Sequence, residues 1–198
     1  MVKRTIDFSV AILGLIALFP FFLVIGVWIK LDSSGPVFYL QERVGKNMKL
    51  FKLFKFRTMR VDADKHTAIT IGTRDPRITS FGYYLRKYKI DELPQLINVF
   101  QGNMSLVGPR PEVKKFVDLY TDKQKDVLSV KPGITDYASI EFRNENQLLE
   151  GKPDPIDFYI KEIMPEKLRL NLKYIDNQSF WTDIRVILKT LFLIIARK

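Results

Sequence analysis

The sequence predicts an α+β fold, mostly helical: an N-terminal re-entrant membrane helix, interfacial amphipathic helices and a small β-hairpin. Three observations carry this. Residues 8–29 form a run of 22 without a charge. Two aromatic and β-branched runs, residues 36–43 and 48–57, flank a turn containing Gly45 and Asn47. Near the other end, Trp181, Ile184, Ile187, Leu188, Leu191, Ile194 and Ile195 recur at helical spacing. Residues 1–30 are thus expected as the membrane element and 31–198 as a single domain.

The uncharged run would measure roughly 33 Å as a helix, enough to reach across a hydrocarbon core. It ends in Gly26-Val27-Trp28-Ile29-Lys30 rather than a small-x-small site, which argues against a cleaved signal peptide. Lys3 and Arg4 precede it and Lys30 follows, so the positive-inside rule draws both ends to the cytoplasm. Pro20, near its middle, removes a backbone donor and bends a helix. A helix broken at Pro20 could return to the face it entered; a kinked span is the alternative that these residues leave open.

The two runs of residues 36–57 read as a hairpin. Lys49, Lys52, Lys55 and Arg57 interleave with Leu and Phe on its second strand, as either a phosphate-facing row or a solvated face. Residues 62–79 are polar, contain Asp75-Pro76 and read as a loop running into a short helix from Thr79 to Arg86. In Asp91-Glu92-Leu93-Pro94-Gln95, Pro94 suits a first helical turn, which puts both carboxylates at or just before a helix N-terminus. A plain N-cap explains Asp91 equally well there. Pro109 and Pro111 frame Arg110, and Lys131-Pro132-Gly133-Ile134 has the form of a type II turn. The last stretch, with Asp183, Arg185 and Lys189 breaking its apolar stripe, suits an interfacial helix or one that faces a core.

Charge narrows the chemistry. The net +10 is concentrated in residues 30–89, with 14 Lys and Arg against 5 Asp and Glu, whereas residues 91–198 hold 16 of each. A basic block beside an apolar segment suits lipid headgroups or phosphate-bearing substrates; it matches no nucleic-acid-binding motif, and no nucleic acid partner is expected. Cysteine is absent and His66 is the sole histidine, so the natural nucleophile for covalent chemistry is a carboxylate.

In order along the chain stand Lys55-Phe56-Arg57-Thr58-Met59, Asp75-Pro76-Arg77-Ile78-Thr79 with Phe81-Gly82 and Leu85-Arg86, Asp91-Glu92-Leu93-Pro94-Gln95, Asn98-Val99, Met104 through Pro111, and Lys131-Pro132-Gly133-Ile134-Thr135. Together they resemble the bacterial sugar transferase family, the small monotopic phosphoglycosyl transferases. The resemblance implies a re-entrant helix with its break at Pro20, on the cytoplasmic face of the bacterial inner membrane. It implies transfer of a sugar-1-phosphate from a nucleotide sugar to polyprenyl phosphate, with Asp91 as nucleophile and Glu92 beside it. Mg²⁺ would sit near Asp91 and Glu92, Lys55, Arg86 and Arg110 around the phosphates, and Arg143 at the nucleotide. UDP and an N-acetylated or deoxy amino sugar are the family expectation, and a homodimer is left open. Two departures stand out: Phe19 where a Ser commonly precedes the proline, and Asp136-Tyr137 with Phe142 in segments where many members differ.

Overall fold

The computed structural model describes residues 2–61 and 75–196. Most of the loop expected over residues 62–79, His66 included, lies outside them. Helix α1 (Val2–Asp32) is followed by strands β1 (Phe38–Val44) and β2 (Leu50–Phe56), an antiparallel hairpin in which Phe38 faces Phe56 and Tyr39 faces Lys55. The hairpin reverses through a short 3₁₀ turn where Asn47 adopts a left-handed φ of 54°, which Asn tolerates better than most residues. Next come α2 (Ser80–Lys87), a 3₁₀ turn (Ile90–Glu92), α3 (Gln95–Gln101) and β3 (Ser105–Val107). After the short helices α4 (Lys114–Val117) and α5 (Asp122–Lys125) lies β4 (Gly133–Thr135), parallel to β3. Then α6 (Tyr137–Glu141), α7 (Glu145–Leu149) and α8 (Pro155–Phe158) lead through a π-helical turn (Tyr159–Ile163) into α9 (Met164–Asp176) and α10 (Phe180–Ile195).

The mostly helical α+β reading and the hairpin are as the sequence predicts. Thr79 caps α2 by accepting from the Gly82 amide at 3.1 Å, so the expected helix begins one residue later than read. Residues 131–134 depart from expectation. They enter β4 instead of making a type II turn, and Gly133 is required by crowding: a Cβ there would lie 2.1 Å from the Gly108 amide nitrogen. The two glycines let β3 and β4 run backbone against backbone, which brings the Arg110 segment beside the Thr135 segment.

Helix α1 runs unbroken through Pro20 and does not project away from the domain. Its most apolar 18 residues have mean hydropathy 2.8, long and apolar enough to cross a membrane. Yet Asp7, Ala11, Ile25 and Ile29 are buried and Gly14 rests against Leu96, so one stripe lies along the domain. Ala11 packs with Leu53, Val99 and Met104, and Ile25 and Ile29 with Phe56 and Leu85. Polar contacts fasten both ends. At the start, Arg4 donates to the carbonyls of Val99 and Phe100, Lys3 pairs with Asp183, and Asp7 accepts from the Ser105 hydroxyl at 2.8 Å and the Leu106 amide at 3.1 Å. At the end, Asp32 accepts from the Phe81 amide at 2.9 Å, and buried Arg57 donates to the Ser33 and Ser34 carbonyls, both at 2.7 Å. The opposite face of α1 exposes Leu13, Ile16, Phe19, Leu23 and Leu31, an apolar surface that belongs at a membrane. Phe180, Trp181, Leu188 and Phe192 of α10 are exposed as well.

Candidate active site

The 3₁₀ turn holding Asp91 and Glu92 is set by what precedes and follows it. Lys89 takes a left-handed φ of 57°, which turns the chain sharply out of α2. Pro94 then occupies the N-cap position of α3, not its first turn, so the carboxylates stand before the helix and neither side chain caps it. Buried Asn98 laces α3 to the hairpin: its Oδ1 accepts from the Phe54 amide at 2.9 Å and its Nδ2 donates to the Lys52 carbonyl at 2.7 Å. This fixes Lys55, one residue on, over the acidic turn.

Lys55 Nζ donates to Glu92 Oε1 at 3.1 Å, and Arg110 donates to both Glu92 oxygens, NH1 to Oε2 at 3.0 Å and NH2 to Oε1. Arg110 is itself held through its backbone, because its amide donates to Asp136 Oδ2 at 3.1 Å. Asp136, fully buried, also caps α6 by accepting from the Ser139 amide. One of the departures from the family pattern is therefore a support for Arg110.

The two neighbouring carboxylates sit in opposite electrostatic states. Burial alone would raise both. For Glu92 the charges of Arg110, Lys55 and Lys89 outweigh burial and hold its carboxyl well below the usual range. For Asp91 burial and the adjacent Glu92 charge prevail over Lys55, Lys89 and Arg86, and its pKa is raised. Asp91 Oδ1 is buried without a hydrogen-bond partner. A pair whose environments push its pKa values apart divides roles: one carboxylate organises the cations, the other keeps its lone pairs unengaged.

A cleft of about 1210 Å³ takes in Lys55, Arg86, Asp91, Glu92, Arg110 and Arg143 together. Arg86 acts on Asp91 from the last turn of α2, while Arg143 is exposed on the connection between α6 and α7. Lys49 and Lys52 are exposed outside the cleft lining, and Arg57 serves the end of α1, so of the basic row only Lys55 reaches the carboxylates. Among the described residues no cluster of three or more His, Asp or Glu could hold a metal. Mg²⁺, however, commonly takes one or two carboxylates plus substrate phosphates, and the unpartnered Asp91 oxygen fits that donor set. Glu92 already accepts three hydrogen bonds from Lys55 and Arg110.

Sequence reasoning missed Asn98 and Asp136 as supports. Asn98 stood in a recognised motif; Asp136 carried only the signal of a short polar side chain ahead of a helix.

Two adjacent carboxylates, Glu92 clasped by Lys55 and Arg110 and Asp91 with an unpartnered oxygen, thus stand in a basic cleft beside an apolar helix. The chain belongs to the bacterial sugar transferase family, whose sequence model matches residues 1–197. It is 38% identical, over 99% of its length, to a UDP-glucose:undecaprenyl-phosphate glucose-1-phosphate transferase of Xanthomonas campestris pv. campestris, covering 39% of that protein. It is 37% identical, over 98% of its length, to a UDP-N-acetylgalactosamine-undecaprenyl-phosphate N-acetylgalactosaminephosphotransferase of Aeromonas hydrophila, covering 44%. A putative undecaprenyl-phosphate N-acetylgalactosaminyl 1-phosphate transferase of Bacillus subtilis is 41% identical over 77% of this chain and 82% of its own length. The chain thus spans about two-fifths of the first two relatives and most of the third.

Proposed function

We propose that the chain transfers a sugar-1-phosphate from a UDP-sugar to undecaprenyl phosphate through a phosphosugar ester on Asp91. The observation that carries this is the asymmetry of the pair: Glu92 is clasped by Lys55 and Arg110 while Asp91, beside it in the same cleft, has a buried oxygen with no partner. In the first step an Asp91 oxygen attacks the sugar-bearing phosphorus. The bond from that phosphorus to the bridging oxygen breaks, and the nucleoside monophosphate leaves with the electron pair. In the second, an oxygen of the lipid phosphate attacks the same phosphorus and the Asp91–phosphorus bond breaks, which restores the carboxylate and forms a polyprenyl diphosphate sugar. Phosphoryl transfer asks for positioning and charge neutralisation more than proton chemistry, and Lys55, Arg86 and Arg110 supply cations for both steps. Asp91 would hold Mg²⁺, which would supply neutralising charge at the phosphates.

The same reading makes the chain monotopic on the cytoplasmic face of the inner membrane. A straight 31-residue helix is about 46 Å long, yet both ends of α1 are fastened to one body, which suits an element that enters and leaves on one side. Pro20 lies on its exposed side, away from the domain, although α1 stays helical through it.

Mixing the protein with a UDP-sugar and no lipid tests the covalent step. We expect up to one equivalent of UMP and a mass gain of one sugar phosphate, both lost in Asp91→Asn. Release of UMP only when lipid is present, with no mass gain, would replace the ester by direct transfer.

A further inference from the structure

Six polar side chains from separate parts of the chain form one hydrogen-bonded line along the cleft wall. Arg43 NH2 donates to Gln41 Oε1 at 2.6 Å and its NH1 to Glu112 Oε1 at 2.8 Å. Tyr159, carried by the π-helical turn, donates its hydroxyl to Glu112 Oε2 at 2.7 Å. Lys167 Nζ donates to that hydroxyl at 3.3 Å and to Glu145 Oε2 at 2.8 Å. All six line the cleft that holds Asp91. π-Turns inside helical runs are rare and concentrate at functional sites.

The line runs beside the cations of the acidic turn. Arg43 also donates to the carbonyl of Pro111, next to Arg110, at 3.2 Å, and it acts electrostatically on Lys55 as Glu145 does on Arg110. Its charges cancel, Arg43 and Lys167 against Glu112 and Glu145, whereas Lys55, Arg86, Lys87, Lys89 and Arg110 outnumber Asp91 and Glu92 around the acidic turn. A charge-balanced row of fixed donors and acceptors suits a neutral polyhydroxy ring, as the basic side suits phosphate.

Resting on the phosphosugar reading above, we propose that this wall is the subsite that reads the hydroxyl pattern of the donor sugar, with Glu145 and Lys167 touching it. The placement decides between sugar and nucleoside. The phosphorus that Asp91 attacks carries the sugar directly, while the nucleoside lies one phosphate further off and departs opposite the incoming carboxylate. Groups that flank Lys55 and Arg110 are therefore at the sugar's distance. A site built to hydrogen-bond a particular hydroxyl discriminates strongly against a ligand that misplaces it, because its own polar groups are left unpaired.

The test is the kcat/KM of UMP release for UDP-glucose, UDP-galactose and their N-acetylated 2-amino counterparts, in wild type, Glu145→Gln and Tyr159→Phe. We expect the ratio between at least one pair of sugars to change by about tenfold or more while the affinity for UMP as product inhibitor stays unchanged. A purely structural wall would lower all four alike. Should Glu145→Gln fail to fold, Tyr159→Phe, which keeps its ring against Phe116, decides the matter. Wild-type ratios in the folded variants overturn the proposal, as does a parallel loss of UMP affinity, which would give the wall to the nucleoside. A wild type that releases no UMP from any of the four or from a UDP-linked deoxy amino sugar refutes the transferase reading itself, and this inference falls with it.

Discussion

Converting each of the two adjacent carboxylates to its amide should move stability in opposite directions, although the chemical change is identical. Glu92→Gln removes the counter-charge from Arg110 and Lys55, whose side chains are only 30% and 18% exposed. Breaking a buried pair from one side costs about 3–5 kcal/mol. Gln keeps one acceptor oxygen and water reaches part of Arg110, so a smaller cost, about 2–3 kcal/mol, is expected. In a chain of this size that is a fall of roughly 5–10 °C in Tm. Asp91→Asn removes a charge that burial and Glu92 both oppose. Because the folded pKa of Asp91 lies above its unfolded value, its contribution is present at low pH and lost as pH rises through the folded pKa; at neutral pH the ionised group is a burden. The Asn variant should therefore melt higher than wild type at pH 7 while releasing no UMP. Glu92→Gln should melt lower and keep slow release, reduced by about 10²–10³-fold. Thermal scans in one detergent with a UMP-release assay on the same samples read both effects. If both amides lower Tm equally, or Glu92→Gln is neutral, the division of roles drawn from the pair is wrong.

Arg110→Ala should cut the rate of UMP release by about 10²–10³-fold yet destabilise less than Glu92→Gln, since Lys55 stays on Glu92; equal turnover would confine Arg110 to structure. Acidification should lower Tm below about pH 4.5, because the folded pKa values of Glu92 and Glu112 are depressed and their stabilisation is lost as pH falls through them; the slope should flatten in Glu92→Gln. Asn98→Ala orphans the Phe54 amide and the Lys52 carbonyl, at a cost of about 1–3 kcal/mol, and should raise KM for the donor through Lys55. Single cysteines at Val2 and Ser34, exposed positions at the two ends of α1, should both react with an impermeant maleimide from the cytoplasmic side only; labelling from opposite sides would make α1 a span.

What could be read from the sequence was whatever is local. The hairpin, the short helix read from Thr79 and the acidic turn before α3 depend on residues within a few positions of one another, and all three stand in the structure, the helix one residue later than read. Lys49, Lys52, Lys55 and Arg57 looked alike because alternation along a strand gives a face but not a partner. The structure splits them into two solvated lysines, one that grips Glu92 and one that closes the end of α1. Arg110 was legible as a framed cation, but its grip on Glu92, 18 residues away, depends on β3 lying against β4. Gly133 misled for the same reason. A glycine needed for close packing and one needed for a positive φ are the same letter, and only the neighbouring strand tells them apart.

The cleft also bears on how two substrates of opposite polarity can share one nucleophile. Its lining includes Val10 of α1 and Ile187, Leu191 and Ile194 of α10, together with Lys55, Asp91 and Arg110. The helices that expose apolar faces outward thus also contribute apolar side chains to the wall of a basic site. A polyprenyl chain could stay against this wall while its phosphate reaches the cations, and the donor could enter along the polar side without crossing lipid. Simultaneous binding would bring two anionic phosphate groups against the same few cations. The covalent route proposed above would remove that conflict, because the nucleotide would leave before the lipid phosphate arrives, and Lys55, Arg86 and Arg110 would serve each in turn. On this argument the unpartnered Asp91 oxygen is what permits one small cleft to do the work of two.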